Sequence, residues 1–186
     1  MEGWRVANVC VFLEEETLWR VFGELTNETG SSQEEVEVMV TFFAADDSSL
    51  AGDSGYVPVN VIPVGATVPF DIVVESPTVP AEYGFDSSST PSVATLRDNL
   101  QVSNAQLTVA GDEALITGQV YNPGPDLVDY VELIATLYDE QGAVVAMGYE
   151  LLSPEELGTS ESATFEILAD GLCPLVTDYV VIAVGF

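Results

Sequence analysis

The chain has 186 residues, with 31 Asp or Glu against three Arg and with neither Lys nor His, giving a formal charge of −28. Nucleic-acid phosphates and anionic bilayers are bound through basic side chains, so both are repelled, and no apolar run reaches the ~18 residues of a spanning helix. Without His or Lys, Ser–His–Asp and Cys–His arrangements are impossible within the chain, while 47% hydrophobic residues suffice for folded cores.

In chain order, Val6–Leu13 is predicted as a first strand, with Val102–Val109 as its counterpart further on. A turn at Glu14-Glu15-Glu16 leads into Leu18–Asn27, where Trp19, Val21, Gly23 and Leu25 share one face. This period of two marks a half-buried strand. Asn27 and Asn122 open turns, and Gly23, matched by Gly118, predicts a bulge or a close approach by the facing sheet. The strand that follows carries Val36, Val38, Val40 and Phe42 on its inner face; Val131, Leu133, Ala135 and Leu137 do the same in the second half. These eight are the predicted core.

Asp139-Glu140-Gln141-Gly142 is predicted as a hairpin turn, with Asp46-Asp47-Ser48-Ser49 in the equivalent place. Later strands are predicted at Tyr56–Ile62 and Val68–Val74, then at Gly148–Leu152 and Ala163–Leu168. Ser153-Pro154-Glu155-Glu156-Leu157 has the form of a capped helical turn. The run Tyr179–Phe186 predicts a closing strand buried on both faces, whereas its counterpart at Pro80–Phe85 predicts a weak, short one. The Ser/Thr-rich stretch Asp86–Pro91 predicts the start of a flexible linker.

The chain therefore writes one unit twice. Gly23 and Gly118, Asn27 and Asn122, Glu37 and Glu132, Thr41 and Thr136, Phe70 and Phe165 are all 95 residues apart. A compensated insertion and deletion is expected around Gly52–Ala66. Strands every ~8–12 residues predict an all-β fold, here two tandem immunoglobulin-like antiparallel β-sandwiches. The expected domains are residues 1–86 and 99–186, joined by a linker at 87–98.

The phrase Ala135-Thr136-Leu137-Tyr138-Asp139 followed by Gly142, the preceding Gly118-x-Val120-x-Asn122 and the later Phe165-x-Ile167 resemble the signature of the FxLYD-domain family. Ala135 stands where the motif's Phe is expected, and the first half departs further, with Val40, Phe42-Phe43 and Ala44. The resemblance implies small β-sandwich modules of secreted or surface-attached prokaryotic proteins, without assigned activity. The expected function is thus a non-enzymatic spacer or protein-binding module, extracellular or in the cell envelope. Its partner would be a protein or envelope component, with no nucleic acid and no membrane insertion. The alternatives are a Ca²⁺-dependent adhesion or stalk module and an acid-rich intracellular protein of a salt-accumulating organism.

Few residues stand out for chemistry. Met39 and Phe43, matched by Ile134 and Tyr138, put apolar side chains on the outward strand face in both halves. That face is either covered by other parts of the chain or a partner-binding patch. No cofactor is expected beyond Ca²⁺, for which Asp86, Asp98 and Asp112, or Asp46, Asp47 and Asp53, are candidate oxygen ligands; no D-x-D-x-D-G loop accompanies them. Cys10 and Cys173, one in each half, are expected to be idle thiols, with a bridge between the halves as the alternative. Asn27-Glu28-Thr29 fits the N-glycosylation sequon.

Overall fold

The computed structural model describes the chain apart from residues 1, 125–127, 154, 155, 173 and 174. Among the described residues all regular structure is strand, and every strand pairing is antiparallel. The predicted helical turn at Ser153–Leu157 includes Pro154 and Glu155, which lie outside the described residues. The chain divides into two compact units, Met1–Val93 with Gly142–Val145, and Ala94–Gln141 with Ala146–Phe186.

The first unit holds β1 (Trp4–Glu15), β2 (Leu18–Asn27), β3 (Gln33–Phe43), β4 (Ser49–Tyr56), β5 (Val61–Ile62), β6 (Thr67–Glu75) and β7 (Glu82–Pro91). One sheet runs β1-β2-β6; in the other β3 is central, with β4 and β7 on either side and β5 pairing its beginning. Their inner faces meet through aromatic rings. Trp19 packs edge-on against Phe42 at 6.0 Å, and Phe70 against Phe85 at 5.6 Å. Val36, Val38, Val40 and Phe42 are all buried, as the alternation in β3 predicts, and each large one contributes ~1.5–3 kcal/mol.

The second unit holds β8 (Gln101–Ala110), β9 (Glu113–Tyr121), β10 (Glu132–Tyr138), β11 (Val144–Leu151) from Ala146 onward, β12 (Ser162–Asp170) and β13 (Asp178–Val184). The order β13-β10-β11-β12-β9-β8 repeats the arrangement of the first unit. Here the two layers join where Gly148 pairs with Ala169. A side chain at Gly148 would lie 2.6 Å from the Leu168 carbonyl oxygen, so the seam requires glycine. Val131, Leu133, Ala135 and Leu137 are fully buried. At the far edges, the Tyr179 hydroxyl donates to the Ala105 carbonyl at 2.9 Å, and Arg97 bridges Gly185.

Several elements of the two units correspond at a constant offset. β4 and β11, and likewise β6 and β12, begin and end 95 residues apart. Left-handed backbone recurs at Glu35 and Tyr130, Asp47 and Gly142, Gly65 and Ser160. The compensated insertion expected near Gly52–Ala66 is absent. Asn27 N–H to Ala66 O and Gly65 N–H to Asn27 O are matched by Asn122 N–H to Glu161 O and Ser160 N–H to Asn122 O. The first hairpin shares one register change with the second, at Ala7/Cys10 and Ser103/Gln106, and has one more at Glu14: Leu13 pairs with Trp19 and Glu15 with Leu18, whereas Val109 pairs with Ala114 and Ala110 directly with Glu113. A β-bulge absorbs the extra residue without moving the strands that follow.

Several expectations need correction. Residues 87–91 are not linker but the end of β7, paired with β3 from Ser87 opposite Val38 to Pro91 opposite Gln33. Their polar sequence suits an outer strand supported by the backbone of a strong neighbour. β4, SLAGDSGY, forms for the same reason, and the predicted strand from Tyr56 breaks at Val57-Pro58, since proline has no N–H to donate. β13 is not buried on both faces: Val180 is 49% exposed, because the strand stands at the end of its sheet. Gly23 and Gly118, by contrast, do mark a bulge as expected: the register slips at Asn8-Val9 opposite Gly23 and at Asn104-Ala105 opposite Gly118. Each lies opposite a phenylalanine of the adjacent strand in its own sheet, Phe70 and Phe165, and a Cβ at either would be 2.5 Å from the ring.

Candidate functional site

The outer face of the β4-β3-β7 sheet brings together the most diverse set of exposed groups. Along β3 the outward side chains are Glu37, Met39, Thr41 and Phe43, alternating with the core residues. Register places Tyr56 and Ser88 beside Glu37, Ser54 and Asp86 beside Met39, Gly52 and Gly84 beside Thr41, and Glu82 beside Phe43. The Glu37 carboxylate accepts from the Ser54 hydroxyl at 2.6 Å and from the Ser88 hydroxyl at 3.4 Å. Tyr56 is 71% exposed. Asp86 accepts from the Ser87 N–H, and Phe43 lies over Gly84, where a Cβ would come within 3.3 Å of its ring. Small residues thus leave Met39 and Phe43 standing half-buried among carboxylates.

The equivalent positions of the second unit are different. Glu132, Ile134 and Thr136 are buried together, so along β10 this face is covered, the first of the two expected readings, and Ile134 is not an accessible binding residue. Tyr138 is half-buried, its carbonyl accepting from the Thr177 N–H. A second feature of this unit is an open depression of about 490 Å³ across β8, β9 and β12, lined by Gln106, Thr117, Gln119, Thr164 and Glu166 among others. It is polar, with Glu166 opposite Thr117.

The carboxylates expected to hold Ca²⁺ do not converge. Asp98 precedes β8 and Asp112 follows it, both exposed; a ten-residue strand at ~3.3 Å per residue separates them by ~30 Å. Among the described residues no group of three Asp, Glu, Cys or His side chains could hold a metal. Asp46 is committed locally: hydrogen bonds from the Ser48 hydroxyl and N–H hold its carboxyl below the usual range. Tyr149 is shifted the other way, its hydroxyl pushed up by partial burial and by the nearby Glu132 and Glu150.

Two further residues change their meaning. Cys10 is disulfide-bonded rather than an idle thiol; Cys173 lies outside the described residues. Asn27 is fully buried and cannot accept a glycan in the folded protein. Its amide donates to the carbonyls of Ser31 and Ile62 and accepts from the Thr29 N–H and hydroxyl. The sequon's Thr is there to hold the Asn. Asn122 makes the same latch, donating to Leu157 O and accepting from Gly124 N–H.

No protein-family model matches the chain, and no curated protein does. Among solved structures it is similar to red sea bream transglutaminase at 12% identity and a TM-score of 0.32, covering 97% of this chain and 29% of that one. It is also similar to a glycosyl hydrolase family 2 member from Bacteroides cellulosilyticus DSM 14838, at 14% identity and a TM-score of 0.33, covering 90% and 28%. A third is a β-glucuronidase of glycoside hydrolase family 2, at 10% identity and a TM-score of 0.29, covering 87% and 21%. The chain spans less than a third of the length of each.

Proposed function

We propose that the chain is a tandem of two immunoglobulin-like, FxLYD-like β-sandwiches acting outside the cytoplasm of a prokaryotic cell as a non-enzymatic spacer or protein-binding module. The observation that carries this reading is the recurrence of one layered sheet unit, closed in both copies by the same buried Asn latch. Duplication of a scaffold with different outer faces suits a module that spaces or presents surfaces. The bonded state of Cys10 supports an oxidising location.

Thiol trapping in the source cells tests the location. After acid quenching and alkylation, Cys10 should remain unlabelled until reductant is added; labelling without reductant would overturn the extracytoplasmic reading in favour of an acid-rich intracellular protein. Thermal melts in EDTA and in Ca²⁺ at matched ionic strength should superimpose. A shift with Ca²⁺ that Mg²⁺ does not reproduce would replace the spacer reading with a metal-dependent adhesion module.

A further inference from the structure

The face built by β4, β3 and β7 sets carboxylates beside half-buried apolar side chains. We propose that this face docks an extended, Lys- or Arg-bearing segment of a basic partner protein. The proposal rests on the protein-binding half of the functional reading and names the surface and the partner class.

Charge selects the partner. At −28, a second copy of the chain, a nucleic acid and an anionic membrane are all repelled, while a cationic segment is drawn in from beyond contact distance. Spacing selects its conformation. Successive rows of the face are two residues apart, ~6.6 Å, which is also the distance between alternate side chains of an extended peptide. Glu37, Asp86 and Glu82 occupy the first, second and fourth rows, and the third is the small row of Gly52, Thr41 and Gly84. An extended segment with cations on alternate residues therefore meets a carboxylate at three of four steps. Met39, Phe43 and the exposed ring of Tyr56 receive the methylene stems that Lys and Arg carry behind their charges. The second unit provides a contrast within the same chain: on its equivalent face Glu132, Ile134 and Thr136 are buried, and Ile134 and Ile182 stand where the first has Met39 and Asp86.

The methionine methyls give a direct readout, with Met39 on the face and Met147 on the second unit as reference. The probe is an acetylated peptide of five Lys-Thr repeats; the control has the same composition as a block of Lys followed by a block of Thr. Titration at about 0.1 M NaCl should shift the Met39 methyl resonance and leave Met147 in place. The alternating peptide should bind about fivefold tighter than the block peptide, the scale of one exposed ion pair. Glu37→Gln with Glu82→Gln should weaken binding about tenfold, and Asp112→Asn with Glu113→Gln, an equal change in charge elsewhere, should not. An unmoved Met39 signal, equal affinity for the two peptides, or equal losses in the two double variants would each overturn the proposal. None of these outcomes bears on where the protein resides, which thiol trapping tests separately.

Discussion

Asn27→Asp keeps the shape of a buried side chain and exchanges its N–H₂ for an oxygen. The amide makes four hydrogen bonds: its nitrogen lies 2.9 Å from Ser31 O and 2.8 Å from Ile62 O, and its oxygen accepts from Thr29 N–H at 3.0 Å and Thr29 Oγ1 at 2.8 Å. Asn27→Ala leaves a donor and a carbonyl unpaired in a buried place, a loss of ~2–6 kcal/mol at ~1–3 kcal/mol per group. Asn27→Asp should lose more at neutral pH, because a desolvated carboxylate oxygen then faces two carbonyl oxygens. The introduced carboxyl is held above its unfolded pKa of ~3.9. The folded state therefore binds the proton more strongly, and the charge-dependent deficit is absent below that pKa. It grows as pH rises towards the folded value. Both tryptophans, Trp4 and Trp19, lie in the first unit, so urea unfolding followed by tryptophan emission reads this site. The deficit of Asn27→Asp relative to wild type should exceed that of Asn27→Ala at pH 7 and shrink on acidification. A loss under ~1 kcal/mol, or a deficit independent of pH, would refute the latch.

Gly118→Ala places a methyl 2.5 Å from the Phe165 ring and should lower stability by ~1–3 kcal/mol in chemical denaturation; an unchanged midpoint would mean the ring gives way without cost. The Ser87 hydroxyl is buried without a hydrogen-bond partner, so Ser87→Ala should be neutral or stabilising by up to ~1 kcal/mol, and a loss above that by calorimetry would mean the hydroxyl is satisfied. Like-charge repulsion at −28 extends over ~30 Å at 0.01 M salt and ~10 Å at 0.1 M, so the melting temperature should climb with NaCl in differential scanning fluorimetry. A flat response would mean the carboxylates are already neutralised or paired.

The parts legible in the sequence were those where one strand decides its own fate. β2, β3 and β10 alternate apolar and polar residues, and the eight predicted core positions, on β3, at Val131 and along β10, are buried. β4 carries no strand signal and the end of β7 reads as linker because their own residues argue for loop: Gly52, Asp53 and Ser54 in one, Ser87, Ser88 and Ser89 in the other. The hydrogen-bonding edges of β3 impose strand on both, a term that no local propensity carries. The Asn27 triplet was read as a glycan acceptor because burial is invisible in three residues. Met39 and Phe43 were found as outward apolar residues, whereas Glu37 on the same strand face, and Asp86 and Glu82 across β7, were not joined to them until register was known. The bonded state of Cys10 had no local signal at all.

The most direct test of two separate cores uses Asn122→Ala, which removes the latch of the second unit from Leu157 O and Gly124 N–H. Urea unfolding of the intact chain is followed by tryptophan emission, which reports only the first unit, and by far-ultraviolet circular dichroism, which reports both. The substitution should pull part of the dichroism loss to lower urea while the tryptophan midpoint stays where it is in wild type. A tryptophan transition that moves down together with the dichroism would mean a single cooperative core and would contradict the tandem reading.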